Sequence, residues 1–289
     1  MSKLLIGTLL FSAIFFSNGS IKAVTKPKWE MGLGYYNFQL PHYYGSNHYY
    51  RYSIPLPTFN YRFDNLELGR DSKLYLFDSD FFQIDIALSA NWPVFSDEED
   101  EDAPDNADDS DAVIARTTNY TRRGMDDLPV TVFAGLRSRL FLTDHLIVEV
   151  PYFHGGKVES GFGHAGNTYE ASVRLELFER DSEHEFGIYA RNLYGDEKYN
   201  NFYYQVKESE VLPDREAYDA KAGLVAYTYG LSFFFQLTER LKLSGRYLIH
   251  NLEQSVIKDS PLVKSEISRD YYLIISYSFF LSDAQVNLP

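Results

Sequence analysis

Histidines and loop carboxylates are the side chains here best suited to acid–base or metal chemistry. The chain has 289 residues and no cysteine, which removes disulfides, thiolate nucleophiles and thiolate metal sites. Its histidines are His42, His48, His145, His154, His164, His184 and His250, and none falls in an HExxH, HxH or similarly close ligand pair. No metal site is expected. His154 and His250 fall at the outer ends of alternating stretches, where the histidine of a lipid- or peptide-hydrolysing barrel enzyme could sit. An interfacial or lumen histidine is the plainer reading. His145 and His184 fall in short turns and are expected to be solvated. The sequence lacks a GxSxG elbow, a GxxxxGK[ST] phosphate loop and any internal repeat. No catalytic residue and no cofactor are expected, and any ligand-binding residues stay unassigned.

The formal net charge is −14, but Asp97 to Asp111 holds ten acidic residues and no base, and without them −4 remains. The acidity belongs mainly to one segment. It lacks the glycine and fixed ligand spacing of a calcium loop, so solvation and repulsion of other anionic surfaces explain it better than divalent-cation binding. A duplex nucleic acid, which needs a basic footprint, is an unsuitable partner.

The elements that must hold these groups follow a period-two alternation. Tyr271, Leu273, Ile275, Tyr277 and Phe279 form one apolar face of a terminal strand, Tyr271 to Phe280. Ten residues cross a bilayer as a tilted strand. Similar stretches recur at Lys28 to Phe38, Tyr52 to Phe63, Phe81 to Trp92, Pro129 to Phe141, Leu146 to His154, Thr168 to Arg180, Glu185 to Leu193, Lys221 to Gln236 and Leu241 to Asn251. Aromatics are 17% of the chain, which suits girdles at two membrane interfaces. Arg137, Arg139, Glu149, Glu170, Arg174, Glu176 and Arg246 fall on the opposite faces. They are expected to cross-link a filled interior.

The predicted fold is an all-β transmembrane antiparallel up-and-down barrel with short periplasmic turns and long extracellular loops. Both termini must be periplasmic, so the strand number is even. Twelve strands result if Leu66 to Asp78 is two short strands around Gly69-Arg70-Asp71, and ten if it forms none. Pro55 and Pro57 are expected to make the second strand irregular near its start. Long loops are expected at Gly155 to Asn167, Tyr194 to Ala220 and Leu252 to Ser268. Residues 1–23 read as a secretory signal peptide, with basic Lys3, an apolar Leu4 to Phe16 and cleavage after Ala23. The barrel is expected over 24–280, with 93–126 a long acidic extracellular loop and 281–289 a C-terminal tail. This places the chain in the cell outer membrane, against lipid and lipopolysaccharide.

Several short motifs, in order along the mature chain, resemble the MltA-interacting protein (MipA/OmpV) family of outer-membrane barrels. They are Pro41, Tyr44, Gly45 and Ser46 with Tyr50, Arg51, Pro55, Pro57 and Tyr61; Gly124, Met125 and Asp127; Pro213, Tyr218 and Gly223; Asp259, Ser260 and Pro261; and closing Tyr277 and Phe279. The acidic insert and the residues after Phe280 depart from the family pattern. The resemblance implies a non-enzymatic barrel that scaffolds peptidoglycan-remodelling enzymes, with a periplasmic murein transglycosylase and murein synthase as partners. The alternative is a narrow channel or a surface adhesion or binding protein.

Overall fold

The computed structural model describes residues 28–69, 72–96, 119–158, 163–180 and 182–282. The signal segment 1–23, the acidic stretch Asp97 to Asp111 and Arg70-Asp71 of the expected turn lie outside the described residues. Twelve antiparallel strands form a closed barrel in which each pairs with its sequence neighbours and the last returns to the first. They are β1 (Lys28–Pro41), β2 (Tyr49–Phe63), β3 (Leu66–Leu68), β4 (Lys73–Asp78), β5 (Phe82–Asn91), β6 (Thr131–Phe141), β7 (Leu146–Lys157), β8 (His164–Glu176), β9 (His184–Gly195), β10 (Gly223–Gln236), β11 (Leu241–Asn251) and β12 (Ile267–Leu281). One helix, α1 (Glu197–Tyr204), lies between β9 and β10.

The two short strands of the twelve-strand alternative are present, as β3 and β4. Asp64 takes a left-handed φ of 51°, which aspartate tolerates, and Asp64-Asn65 joins Phe63 to Leu66 as a two-residue hairpin. Leu66 to Leu68 are the whole of β3, Gly69 turns at φ 147°, and β4 descends to pair with β5.

Alternation sets the two faces. On β12, Leu273, Ile275, Tyr277 and Phe279 point out and are 41–53% exposed. Met31, Leu33 and Tyr35 on β1 and Tyr169, Val173 and Leu175 on β8 do the same. A surface this apolar needs lipid as its solvent. The inward face carries an ion-pair lattice. Arg137 Nη2 lies 2.9 Å from Asp85 Oδ1, and Arg139 lies 3.6 Å from Asp85 and 2.7 Å from Glu149. Arg174 pairs with Glu176 and Lys242 with Glu30. Charges cross-link the interior as expected.

The structure corrects several boundaries. Gly155 to Asn167 is mostly strand: β7 runs to Lys157 and β8 starts at His164. The fifteen residues of β12 rise about 50 Å along the strand, or about 38 Å of height at a tilt of about 40°, still beyond an apolar band of about 25 Å, so ladders continue above the membrane. Tyr194 to Ala220 is not simply a polar loop, since it contains α1 and folds into the barrel mouth. Pro55 and Pro57 do not disturb their strand: the β1–β2 ladder runs from Lys28↔Arg62 to Pro41↔Tyr49 without a shift. His184 is the first residue of β9 and lies between Phe178 and Phe235, not free in a turn. Pairing at the seam continues beyond Phe280: Leu281 opposes Glu30, and the Ser282 N–H donates to Trp29 O at 2.9 Å.

Candidate functional site

The outer connections fold inward and plug the mouth. Helix α1 starts where Asp196 Oδ1 accepts the Tyr199 N–H at 2.7 Å, while Asp196 Oδ2 accepts from Asn167 N at 2.9 Å and Nδ2 at 2.6 Å. One carboxylate thus caps the helix and ties it to β8. Residues 199, 200, 203 and 204 share one helical face, and that face is buried. It packs with Tyr43, Leu252, Ile257 and Leu262 from two other connections. Gly166, at φ 98°, permits this docking, because a Cβ there would lie 2.2 Å from Tyr199 N.

Polar links lock the plug. Tyr204 donates its hydroxyl to Tyr44 O at 3.1 Å, and Ser260 donates to Tyr204 O at 2.8 Å. Tyr43 donates to Leu262 O at 3.2 Å. Buried Arg122 donates to Tyr203 O at 3.2 Å and to Asp126 O at 3.3 Å. Burial lowers the Arg122 pKa and pushes the Tyr203 phenol up to about 12, so Tyr203 stays neutral.

Beneath the plug lies a cavity of about 300 Å³. Tyr44, Tyr50, Trp92, Phe153, Tyr199 and Tyr203 give it an aromatic lining. Glu170, Arg191, Arg246 and Asp270 supply charge. Arg191 pairs with Glu170 at 3.1 Å and donates to the Tyr44 hydroxyl at 3.5 Å. His42 borders the same space, stacked on Tyr50 at 4.2 Å, and neither of its ring nitrogens has a hydrogen-bond partner in the protein. Burial first, then the charge of His48, lowers its pKa to about 4, so it is neutral near pH 7. Apolar faces with a few convergent polar groups suit a small amphipathic ligand.

His250 sits just behind this wall. A carboxylate only accepts, so His250 Nε2 donates to Asp270 Oδ2 at 2.8 Å, and Nδ1 faces Thr228 Oγ1 at 2.8 Å. The chain of groups resembles an acid–base relay. Thr228 and His250 are fully buried, however, so no substrate reaches the hydroxyl. His154 faces out of the barrel, stacked on His164 at 4.3 Å and hydrogen-bonded to Asn167. The two histidines singled out by strand position are therefore on opposite sides of the wall. Among the described residues, no group of three or more His, Cys, Asp or Glu could hold a metal.

The sequence motifs meet at the plug. Gly45, at φ 84°, donates to Ser268 Oγ at 2.7 Å. Ser46 and Met125 are buried there, and Asp127 Oδ1 accepts from Ser96 N at 2.7 Å. Tyr218 donates to Val256 O at 2.8 Å, linking the segments around Pro213 and Gly223 to that before Asp259, Ser260 and Pro261. Pro41, Tyr44 and Tyr50 also line the cavity. Arg51, Pro55, Pro57, Tyr61, Tyr277 and Phe279 belong to the wall instead. Sequence reasoning missed Arg191, Asp270, Trp92 and the α1 tyrosines as lining residues. The Tyr199/Tyr203 spacing of four was the available signal.

A family model described as MltA-interacting protein MipA matches residues 32–279. No curated protein matches the sequence. Among solved structures, a NanC porin is 10% identical with a TM-score of 0.37, covering 88% of this chain and 100% of its own. A KdgM porin, solved in complex with disordered oligogalacturonate, is 10% identical with a TM-score of 0.33 and the same coverages. Likeness at this level adds nothing to the barrel seen directly.

Proposed function

We infer the role from one premise: this chain belongs to the MltA-interacting protein MipA family, non-catalytic β-barrels of the outer membrane. The barrel works as a narrow, capped passage that binds small amphipathic solutes. The observation that carries this reading is the cavity of about 300 Å³ under the plug, aromatic on one side and bordered by the Arg191–Glu170 pair and Asp270 on another. A plain scaffold does not require a chemically differentiated space at its centre. A general porin does not require its mouth to be plugged by Tyr204, Leu252, Ile257 and Leu262. Purified protein in micelles is expected to bind the aromatic amine N-phenyl-1-naphthylamine saturably, seen as fluorescence enhancement, and to give small, infrequent conductance steps in planar bilayers. Absence of both would reject the reading.

A second reading keeps the scaffold for a murein transglycosylase and murein synthase. It is favoured by Phe81, Leu142, Leu177 and Leu237, exposed apolar residues at four periplasmic turns. Immobilised barrel should then retain those enzymes, and replacing the four residues by serine should release them. Equal retention by the serine variant would exclude that surface.

A further inference from the structure

The wall is not paired throughout its height. β3 covers β2 only at Tyr61, Arg62 and Phe63, and β4 covers β5 only from Gln83 to Ala87. Above the hairpin, among the described residues, the β2 edge from Ser53 to Asn60 and the β5 edge from Leu88 to Asn91 have no strand partner. The hairpin tip lies beside Asn60, since a Cβ on Gly69 would meet Asn60 Oδ1 at 2.3 Å. At hairpin level, three ladder spacings put β2 and β5 about 14 Å apart. At the top the strands converge: the Trp92 ring lies 6.1 Å from Tyr50 and 6.4 Å from Tyr52, and Tyr50 donates to Pro93 O at 2.5 Å. The opening is a wedge, closed below by a hairpin and above by an aromatic clasp.

We propose that this wedge is a lateral portal, through which an amphipathic solute with an apolar body and a hydrogen-bond-donating head exchanges between the lumen cavity and the bilayer. The proposal rests on the solute-binding role inferred above. Depth is the first support. The edge residues Pro55, Pro57 and Phe59 lie opposite lipid-facing Tyr35, Leu33 and Met31. An open edge at membrane depth is tolerated where it lines a solvated cavity. Here the cavity reaches the β5 side of the opening, because Ser89, Ala90 and Asn91 border that space, with Tyr50 and Trp92 of the clasp above them.

Backbone chemistry is the second support. Alternate residues of an antiparallel strand direct their N–H and C=O to opposite edges. The ladder passes through Tyr35↔Pro55 and Leu33↔Pro57 without a shift, which proline permits only if its nitrogen faces away from β1. Ser53, Pro55, Pro57 and Phe59 therefore present four carbonyls to the wedge and only two N–H groups. The missing donors also make this edge a poor template for a second copy. The lumen face beside it is apolar, with Tyr36, Ile54 and Leu56 on paired positions of β1 and β2. Arg137 and Arg139 lie on β6, next to the β5 side of the wedge, where Asp85 and Glu149 hold them, and Arg174 lies farther round the wall on β8.

The chain has no cysteine, so single labels are clean. Bimane on Ser89→Cys, a lumen-facing site at the wedge, is measured in vesicles of phosphatidylcholine containing a brominated-acyl-chain analogue. Ile275→Cys is the lipid-facing reference and Ser172→Cys the lumen-facing reference on β8. The portal predicts quenching at Ser89→Cys comparable to Ile275→Cys and several-fold above Ser172→Cys. Ile54→Cys repeats the measurement from the opposite edge and serves if Ser89→Cys does not fold. Quenching no greater than at Ser172→Cys overturns the portal, as do oxidative disulfide dimers of Phe59→Cys, which would give the edge to a second copy. N-phenyl-1-naphthylamine binding is read separately, on the unlabelled cysteine-free protein. Binding without quenching rejects the portal alone, and quenching without binding rejects the solute-binding role on which it rests.

Discussion

The plug makes the strongest quantitative prediction. Leu262 is fully buried against Tyr43, Leu252 and Ile257, far from the membrane wall, and its backbone carbonyl, not its side chain, accepts from Tyr43. Leu262→Ala therefore removes apolar packing while leaving the polar links in place. Truncating a buried leucine costs about 2–5 kcal/mol, depending on how far the site collapses. If that cost falls on plug docking, a loss of about 3 kcal/mol raises the undocked population about 100-fold, since each 1.4 kcal/mol is tenfold. Single-channel recording counts the consequence directly, as a rise in opening frequency at constant unitary conductance. Heat-modifiable migration on gels checks that the barrel itself is intact. Limited proteolysis of the 252–266 connection gives the same population independently. Unchanged opening frequency and unchanged proteolysis in a folded barrel would refute the docking argument.

Three further outcomes follow from single residues. Asp85 is fully buried and holds Arg137 and contacts Arg139, so Asp85→Ala removes a carboxylate that two guanidiniums share and should destabilise the barrel by about 3 kcal/mol, the low end for breaking a buried pair because Glu149 still holds Arg139, read as a lowered urea midpoint in micelles. The pKa of His42 is depressed to about 4, so its contribution is complete above the ordinary value near 6.5 and is lost as pH falls toward 4. Amide protection factors in 42–48, corrected for intrinsic exchange, should fall over that interval, and His42→Phe, which preserves stacking on Tyr50, should remove that fall. Gly166→Ala drives a methyl into the Tyr199 backbone, so protease should gain access to 196–222 while the ladders persist.

The barrel was legible because its information is local and periodic. Met31, Leu33 and Tyr35, or Leu273, Ile275 and Tyr277, announce a lipid face by spacing alone. Parity then located β3 and β4 in a stretch with no clear periodicity. The plug was less legible for a physical reason. Tyr199, Phe202, Tyr203 and Tyr204 sit among Asn, Lys and Glu, and a short helix that buries its face against distant connections carries a weak signal. Family motifs at Gly45, Met125, Tyr218 and Ser260 were visible as words, but only the fold shows that they are parts of one plug. The cavity depends on inter-strand register, which places Glu170 near Arg191 through the β8–β9 ladder. Spacing along the chain does not encode that proximity. At His250 strand position left two readings open, and its full burial fits the plainer one, a histidine of the barrel interior.

The wedge, by contrast, is written in chain length. Residues 64–78 must supply a turn, two strands and a second turn. A membrane-crossing strand alone takes about 9–11 residues, so this segment cannot cover the height of its neighbours. A full-length β2 beside so short a hairpin must leave an edge that the hairpin does not cover, and among the described residues nothing else pairs with it. Two prolines on that edge, at alternate positions, then reduce the donors that lipid would leave unsatisfied. Length and proline placement are independent features, and both describe the same opening. Lengthening the hairpin should therefore not close the wall by itself. Strand pairing along Ser53 to Asn60 would also require Pro55 and Pro57 to be replaced by residues that can donate. Only the combined variant should abolish bromolipid quenching at Ser89→Cys, and closure by the longer hairpin alone would show that the prolines are incidental.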